Sequence, residues 1–180
     1  EQDSKQANWR TDPLRSGSGG CIGDIGTHAF NLIHFVTELE LDSLSADLTS
    51  FVPGRQLDDN AHVMLRYKGG AKGMLWSSQV APGNENSLKM RIYGEIGGLE
   101  WLQEDPNKLW HSPFGQQKKL ITRNGAGVSL ASNRLSRIPA GHPEGYLEGF
   151  ANIYSEAADA IKSLQAGKAR DKMIMFPDVK

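Results

Sequence analysis

The stretch "AHVMLRYKGGAKGMLWSSQVA", residues 61–81, decides the fold. Apolar and polar side chains alternate through it, which predicts two β-strands, and the short "GGA" between them predicts a hairpin. One face of the first strand is apolar and is expected to be buried under helices; it carries Ala61, Val63, Leu65 and Tyr67. The opposite face is also rich in apolar side chains, and it continues into later strands: His62, Met64, Arg66, Lys68, Trp76, Ser78, Val80, Lys89, Arg91, Tyr93 and Leu102.

The same alternation extends over residues 43–122, with turn sequences between the strands, and predicts a mainly antiparallel sheet. Apolar residues recur at helical spacing before it, at 24–37, and after it, at 145–166. A helix, a meander of strands and a second helix in this order predict an α+β fold.

Three segments show no regular period. Residues 1–23 are rich in Gly, Ser and Pro and predict an irregular N-terminal segment. Residues 123–143 predict a long loop, and residues 171–180 predict a tail that adds an edge strand or docks as an arm.

The composition limits the classes of partner. The 180 residues are 38% hydrophobic, which suits one domain over residues 1–180, and their net charge is −1. No basic patch favours nucleic acid or an anionic membrane, and no apolar run is long enough to span a bilayer. The single cysteine, Cys21, suits a reducing cytoplasm and is expected to be a small buried side chain. The N-terminus lacks Met, so we expect a piece of a longer chain.

The glycine run "GSGGCIGDIG", residues 17–26, differs from a dinucleotide-binding fingerprint. Its glycines miss the G-x-G-x-x-G spacing, and no strand precedes them. The run predicts a loop whose backbone comes close to a ligand or to a neighbouring domain.

Asp24 and His28 are the candidate reactive pair, because residues four apart lie on one face of a helix. Three interpretations remain open on spacing alone. Asp24 is a favourable charge at a helix N-terminus beside an incidental histidine; the two residues belong to a metal site that lacks a close third ligand; or His28 is a general base that Asp24 orients.

Residues 9–36, "WRTDPLRSGSGGCIGDIGTHAFNLIHFV", resemble the start of the C-terminal domain of the glucose-fructose oxidoreductase, inositol dehydrogenase and rhizopine-catabolism (Gfo/Idh/MocA) family. The family pattern is a glycine-rich stretch followed by D-[ILV]-G-x-H. "GHPEGYLEGFANIY", residues 141–154, is similar to the segment that leads into the family's late helix. The first motif matches at Gly19, Gly20, Asp24, Gly26 and His28.

The resemblance implies a large open sheet with helices on one face, as in dihydrodipicolinate-reductase-like domains. It also implies a partner Rossmann domain, absent here, that binds NAD or NADP and supplies the lysine of an E-K-P motif. That motif does not occur in these residues. The resemblance assigns the base to His28 and makes Asp24 its catalytic neighbour.

Further site residues are expected from the same resemblance. Trp9 and Arg10 lie on the segment that would cross the substrate cleft, and His142 would bind a sugar hydroxyl or cap a helix. Gly19 and Gly20 would come no closer to a cofactor than the vicinity of the nicotinamide. No metal site is expected.

The function that the resemblance implies is the substrate-binding and catalytic half of an NAD(P)-dependent oxidoreductase acting on a secondary hydroxyl of a sugar or cyclic polyol. By itself the chain is expected to be inactive and to bind no cofactor. It is expected to form a homodimer or a larger oligomer through the open sheet face. The alternatives are a non-catalytic oligomerisation or scaffold module and a metal-dependent isomerase or hydrolase.

Overall fold

The computed structural model describes residues 9–169. The chain divides into two compact units, Glu1–Met90 and Arg91–Lys180. The single domain expected over residues 1–180 therefore stays a prediction. The tail expected at 171–180 lies outside the described residues.

The first unit contains a three-stranded antiparallel sheet in the order β1-β2-β3. A π-helical turn, Ile22–Gly26, runs directly into helix α2, so the helix expected over 24–37 begins two residues earlier. The segment expected to be irregular also contains the short helix α1. The bounds are α1 Pro13–Ser16, α2 Thr27–Thr37, β1 Leu41–Thr49, β2 Asn60–Tyr67 and β3 Lys72–Ser78.

Local sequence explains where these helices begin and end. The Asp12 side chain accepts a hydrogen bond from the Leu14 N–H at 2.9 Å, and Pro13 occupies the first helical position of α1, where a missing N–H costs nothing. Helix α2 ends at Thr37, and its C-cap residue, Glu38, is left-handed with φ 55° and donates its N–H to the His34 carbonyl at 2.8 Å.

The core of the first unit lies between α2 and the sheet. The buried face of β2 is the one that the alternation predicts, and it packs against Ile22, Phe30, Ile33 and Leu75. On the opposite face the register pairs His62 with Trp76 and Met64 with Met74. Met64, Met74 and Trp76 remain 60%, 75% and 53% exposed.

The second unit contains a four-stranded sheet in the order β4-β5-β6-β7, whose β5–β6 and β6–β7 pairs are antiparallel. A short helix, α3, lies in the segment expected to be a loop; the Ser129 hydroxyl caps it by accepting the Ser132 N–H at 3.2 Å. The bounds are β4 Lys89–Gly94, β5 Gly97–Leu102, β6 Lys108–Pro113, β7 Lys119–Thr122, α3 Leu130–Leu135 and α4 Tyr146–Gln165.

The α+β class and the antiparallel pairing are confirmed, but the strands form two sheets, of three and four strands, instead of one large sheet. Pro82, which has no N–H, and Gly83, with φ 91°, lie between β3 and β4, where no ladder forms. Arg91, Tyr93 and Leu102 consequently lie in a different sheet from Trp76. The alternation predicted which face of β2 is buried, but not the break in the sheet.

Two glycines allow the π-helical turn to lie close to its neighbours. A Cβ on Gly20 would lie 2.0 Å from the Asp58 carbonyl oxygen, so no side chain fits there. A Cβ on Gly26 would lie 2.5 Å from the Ile22 Cδ1 and 3.2 Å from the Ser77 Oγ. The glycine run was predicted to come close to a ligand or to a neighbouring domain. At Gly20 and Gly26 its backbone instead comes close to residues of the same unit.

Gly20→Ala is expected to lower the free energy of unfolding by about 3 kcal/mol or more, because the backbone must move away from Asp58. Gly23→Ala is the matched control: its Cβ would meet nothing within 4 Å, and alanine is the better helix former by about 1 kcal/mol. Urea denaturation measures both, and equal midpoints would contradict the close approach.

Candidate active site

The carboxylate of Asp58, two residues before β2, holds the turn that carries Asp24. Its Oδ1 accepts the Gly20 N–H at 2.7 Å, and its Oδ2 accepts the Ile22 N–H at 2.8 Å and the Cys21 thiol at 3.1 Å. The Cys21 N–H also donates to the Asp58 carbonyl at 2.8 Å. The start of the helix is thus fixed to the loop before β2 by four hydrogen bonds to one residue.

Electrostatics keep this contact in one protonation state. Burial raises the pKa of Asp58, but hydrogen bonds from Ile22, Cys21 and Gly20 outweigh it, so the pKa lies below its usual 3.8. Burial, and then the hydrogen bond to Asp58, raise the pKa of Cys21 to about 12. At neutral pH the pair is therefore a thiol donating to a carboxylate.

Asp24 forms an ion pair with Arg10, whose Nε lies 3.0 Å from the Asp24 Oδ2. The guanidinium carbon of Arg10 also lies 5.0 Å from the centre of the Trp9 ring, within cation–π range. The structure therefore brings together three of the residues singled out from the sequence: Trp9, Arg10 and Asp24.

His28 lies on the first turn of α2 with its side chain exposed. Within residues 9–169 its ring makes no hydrogen bond or ion pair, either with Asp24 or with another residue. The imidazole is thus available to a ligand. It lies one helical turn after Asp24, whose carboxylate is paired with Arg10. The suggestion that Asp24 orients the His28 ring by a direct bond has no counterpart in this geometry.

His142 lies in the second unit, in a loop that Arg123 holds. Arg123 donates to the carbonyls of Ile138 at 2.6 Å and His142 at 2.9 Å, and pairs with the buried Glu144 at 2.7 Å. The His142 ring lies 3.3 Å from the Ala140 carbonyl and does not cap α4, whose cap residue is Gly145. The capping alternative for His142 is therefore not observed.

Several backbone amides in the middle of the glycine run already have acceptors within the unit. Gly20 and Ile22 donate their N–H groups to Asp58, so these amides are not free to bind a phosphate. This part of the chain does not fit the pyrophosphate of a dinucleotide. The expectation that Gly19 and Gly20 lie near a nicotinamide stays a prediction.

Residues 9–169 contain neither a metal-ligand cluster nor a membrane-spanning helix. No group of three or more His, Cys, Asp or Glu side chains lies together in a way that could hold a metal ion, so the metal-dependent interpretation has no ligand set in this part of the chain. No helix in the same range has the length and the apolar character needed to cross a membrane.

Sequence reasoning missed Asp58, Asp59 and Arg123. Both aspartates lie in "PGRQLDDN", residues 53–60, one of the turn sequences between predicted strands. In the structure Asp58 binds the start of the helix, and the fully buried Asp59 accepts the N–H groups of Phe51 and Val52, both at 2.9 Å. Two adjacent acids before a buried strand were the available signal. Nothing near Arg123 in the sequence indicated its role.

Comparison with known proteins decides the family. A sequence model of the GFO/IDH/MocA C-terminal domain matches residues 1–100, more than half of the chain. The chain belongs to this family. The resemblance seen in the sequence is thereby confirmed.

Similar proteins are oxidoreductases. The chain is 32% identical over 99% of its length to the uncharacterized oxidoreductase YfiI of Bacillus subtilis and covers 46% of it. An oxidoreductase from Sinorhizobium meliloti is 63% identical with a TM-score of 0.81, over 87% of this chain and 44% of that one. An inositol dehydrogenase homologue from Azotobacter vinelandii, complexed with NADH and myo-inositol, is 34% identical with a TM-score of 0.85, over 91% and 42%. The chain spans less than half the length of each.

Cys21 is expected to resist thiol reagents at pH 8 in the folded protein and to react once the protein unfolds. Its folded pKa is about 12 against 9.0 in an unfolded chain, so its contribution to stability is complete below pH 9 and is lost as the pH rises toward 12. Urea midpoints between pH 8 and 11 should fall less steeply in Cys21→Ala. Rapid labelling of the native protein would contradict this.

Proposed function

We propose that this chain is the substrate-binding and catalytic half of an NAD(P)-dependent oxidoreductase that oxidises a secondary hydroxyl of a sugar or cyclic polyol. The observation that carries the proposal is the exposed His28, one turn after Asp24, on a helix fixed to the sheet. Membership of the family supports the reaction type. The myo-inositol complex of a relative supports the substrate class. We expect the protein to work in the cytoplasm.

His28 is the general base in this proposal. Oxidation of an alcohol removes a proton from oxygen while a hydride leaves carbon, and a neutral imidazole within hydrogen-bond reach accepts that proton. The exposed ring has no recorded partner in residues 9–169 that a substrate hydroxyl would have to displace. A bound nicotinamide would supply the hydride acceptor, and in this proposal the residues that would hold it lie outside the described residues.

Trp9, Arg10 and Asp24 form the proposed binding surface beside the base. Asp24 accepts hydrogen bonds from substrate hydroxyls while Arg10 keeps its other oxygen occupied. The Trp9 ring is 39% exposed and offers a flat apolar surface of the kind that packs against a sugar ring. His142 stays a predicted hydroxyl ligand; it lies in the second unit, on the loop that Arg123 orders.

In the full-length protein, His28→Asn is expected to lower kcat by about 10²- to 10⁴-fold, because the proton acceptor is lost. Cofactor affinity should stay nearly unchanged. Asp24→Asn should lower kcat to a comparable extent if Asp24 binds substrate directly, and less if it only orients. The rate of NAD⁺ or NADP⁺ reduction with myo-inositol and related polyols gives kcat for both variants, and its dependence on cofactor concentration gives the KM for the cofactor.

His34→Asn is the matched control, since His34 is an exposed histidine on the same helix that hydrogen-bonds the Leu39 carbonyl at 3.2 Å. Its kcat should stay within about twofold of the parent. Near-normal turnover in His28→Asn would remove the base from the proposal and leave the scaffold alternative.

The exposed face of β2 and β3 is proposed as a dimer interface. It combines Met64, Met74 and Trp76 with His62, which stacks on the Trp76 ring at 6.2 Å between centroids. Asn60 accepts the Trp76 indole N–H at 2.9 Å and lies 3.2 Å from the His62 Nδ1, so the polar atoms beside the aromatic rings are satisfied. Methionine and aromatic side chains with few unpaired polar atoms are typical of interface cores.

Trp76→Glu and Met64→Glu are each expected to convert a dimer into a folded monomer, because a charge placed in a buried interface lacks a partner. Asn31→Glu is the control: Asn31 is exposed on α2, which packs on the opposite face of the sheet, so the added charge there should leave the dimer intact. Light scattering at micromolar concentration gives the mass of each variant. A monomeric parent protein would rule out the interface.

A further inference from the structure

Asp58 has a bonding pattern that a simple turn residue does not need. Its two carboxylate oxygens accept three hydrogen bonds, from Gly20, Ile22 and Cys21, which are 36 to 38 residues away in sequence. Together these donors form the start of the helix that carries Asp24 and His28. A capping acceptor usually comes from the helix's own N-terminal residues, whereas here it comes from the loop that leads into β2.

The contact leads directly to the candidate catalytic residues. Ile22 is the first residue of the π-helical turn, and the Asp24 N–H donates to the Gly20 carbonyl at 3.0 Å. Gly20 lies so close to Asp58 that no Cβ fits between them. The carboxylate therefore sets where this turn lies on the sheet, within a close contact that leaves no room for adjustment.

We propose that Asp58 is a positioning residue for Asp24 and His28, an inference that rests on the proposed function of those two residues. It touches neither substrate nor cofactor. It fixes the first turn of the helix, and with it the place of the base relative to the reacting hydroxyl. A shift of about 1 Å in such a group can cost 10²-fold in rate, so a residue that prevents the shift influences kcat without contacting the substrate.

Asp58→Asn removes the charge and places an amide N–H opposite one of the donors. Asp59→Asn is a closely matched control, because Asp59 is the next residue and its carboxylate also accepts two backbone N–H groups, but from the loop after β1. Both changes are expected to lower stability. Only Asp58→Asn is expected to lower kcat, by about 10- to 100-fold, with the KM for the nicotinamide cofactor unchanged.

A second measurement does not depend on turnover. In full-length protein labelled with ¹³C at histidine Cε1, the His28 resonance is identified by its loss in His28→Asn. It should shift in Asp58→Asn and stay in place in Asp59→Asn. Hydrogen exchange of peptides that cover residues 18–26 should accelerate only in Asp58→Asn.

The outcomes separate this inference from the proposed function. An unmoved His28 resonance in Asp58→Asn, or equal losses of kcat in the two aspartate variants, would overturn the positioning role. Normal turnover in His28→Asn would instead overturn the base, while a shifted resonance would still support the anchor. If Asp58→Asn does not fold, Cys21→Ala and Cys21→Ser replace it: the serine keeps a donor to Asp58, and equal kcat and equal His28 resonances in the two would contradict the inference.

Discussion

The structure of the first unit depends on one carboxylate, that of Asp58, which accepts hydrogen bonds from the amides of Gly20 and Ile22 and from the Cys21 thiol. A helix start leaves backbone N–H groups without partners, and burying them against a sheet is costly unless an acceptor is supplied. The ionised Asp58 meets that need. The Asp58 backbone lies so close to position 20 that only glycine fits there. Burial, and then the hydrogen bond to Asp58, raise the pKa of Cys21 to about 12, so the thiol stays protonated.

The candidate site combines this rigid support with an exposed reactive group. Asp24 is held by Arg10 at 3.0 Å, whereas the His28 ring faces solvent. A base must exchange protons with substrate and solvent in every cycle, so exposure suits it, while its helix has to remain in place. The partly buried anchor and the exposed base therefore have complementary roles.

The second unit uses the same physical device on a different loop. The buried Glu144 accepts the amides of Arg137 at 3.0 Å and Ile138 at 2.9 Å, while Arg123 pairs with it and donates to the His142 carbonyl at 2.9 Å. A charged side chain that satisfies several backbone groups replaces the regular hydrogen bonds that an irregular segment lacks. In both units, ionised side chains hold the backbone that presents a candidate functional histidine.

The sequence by itself determined the strands, the buried face of β2, the helix that carries Asp24 and His28, and the family motif. These features depend on side-chain periodicity and short spacings, which are local properties of the chain. The tertiary structure decided that Asp24 pairs with Arg10, that the strands form two sheets, and that Asp58 anchors the helix. The two contacts join residues 14 to 38 positions apart, and the division into sheets depends on where strand pairing stops. No local period encodes which distant donor a given carboxylate will meet once the core has packed.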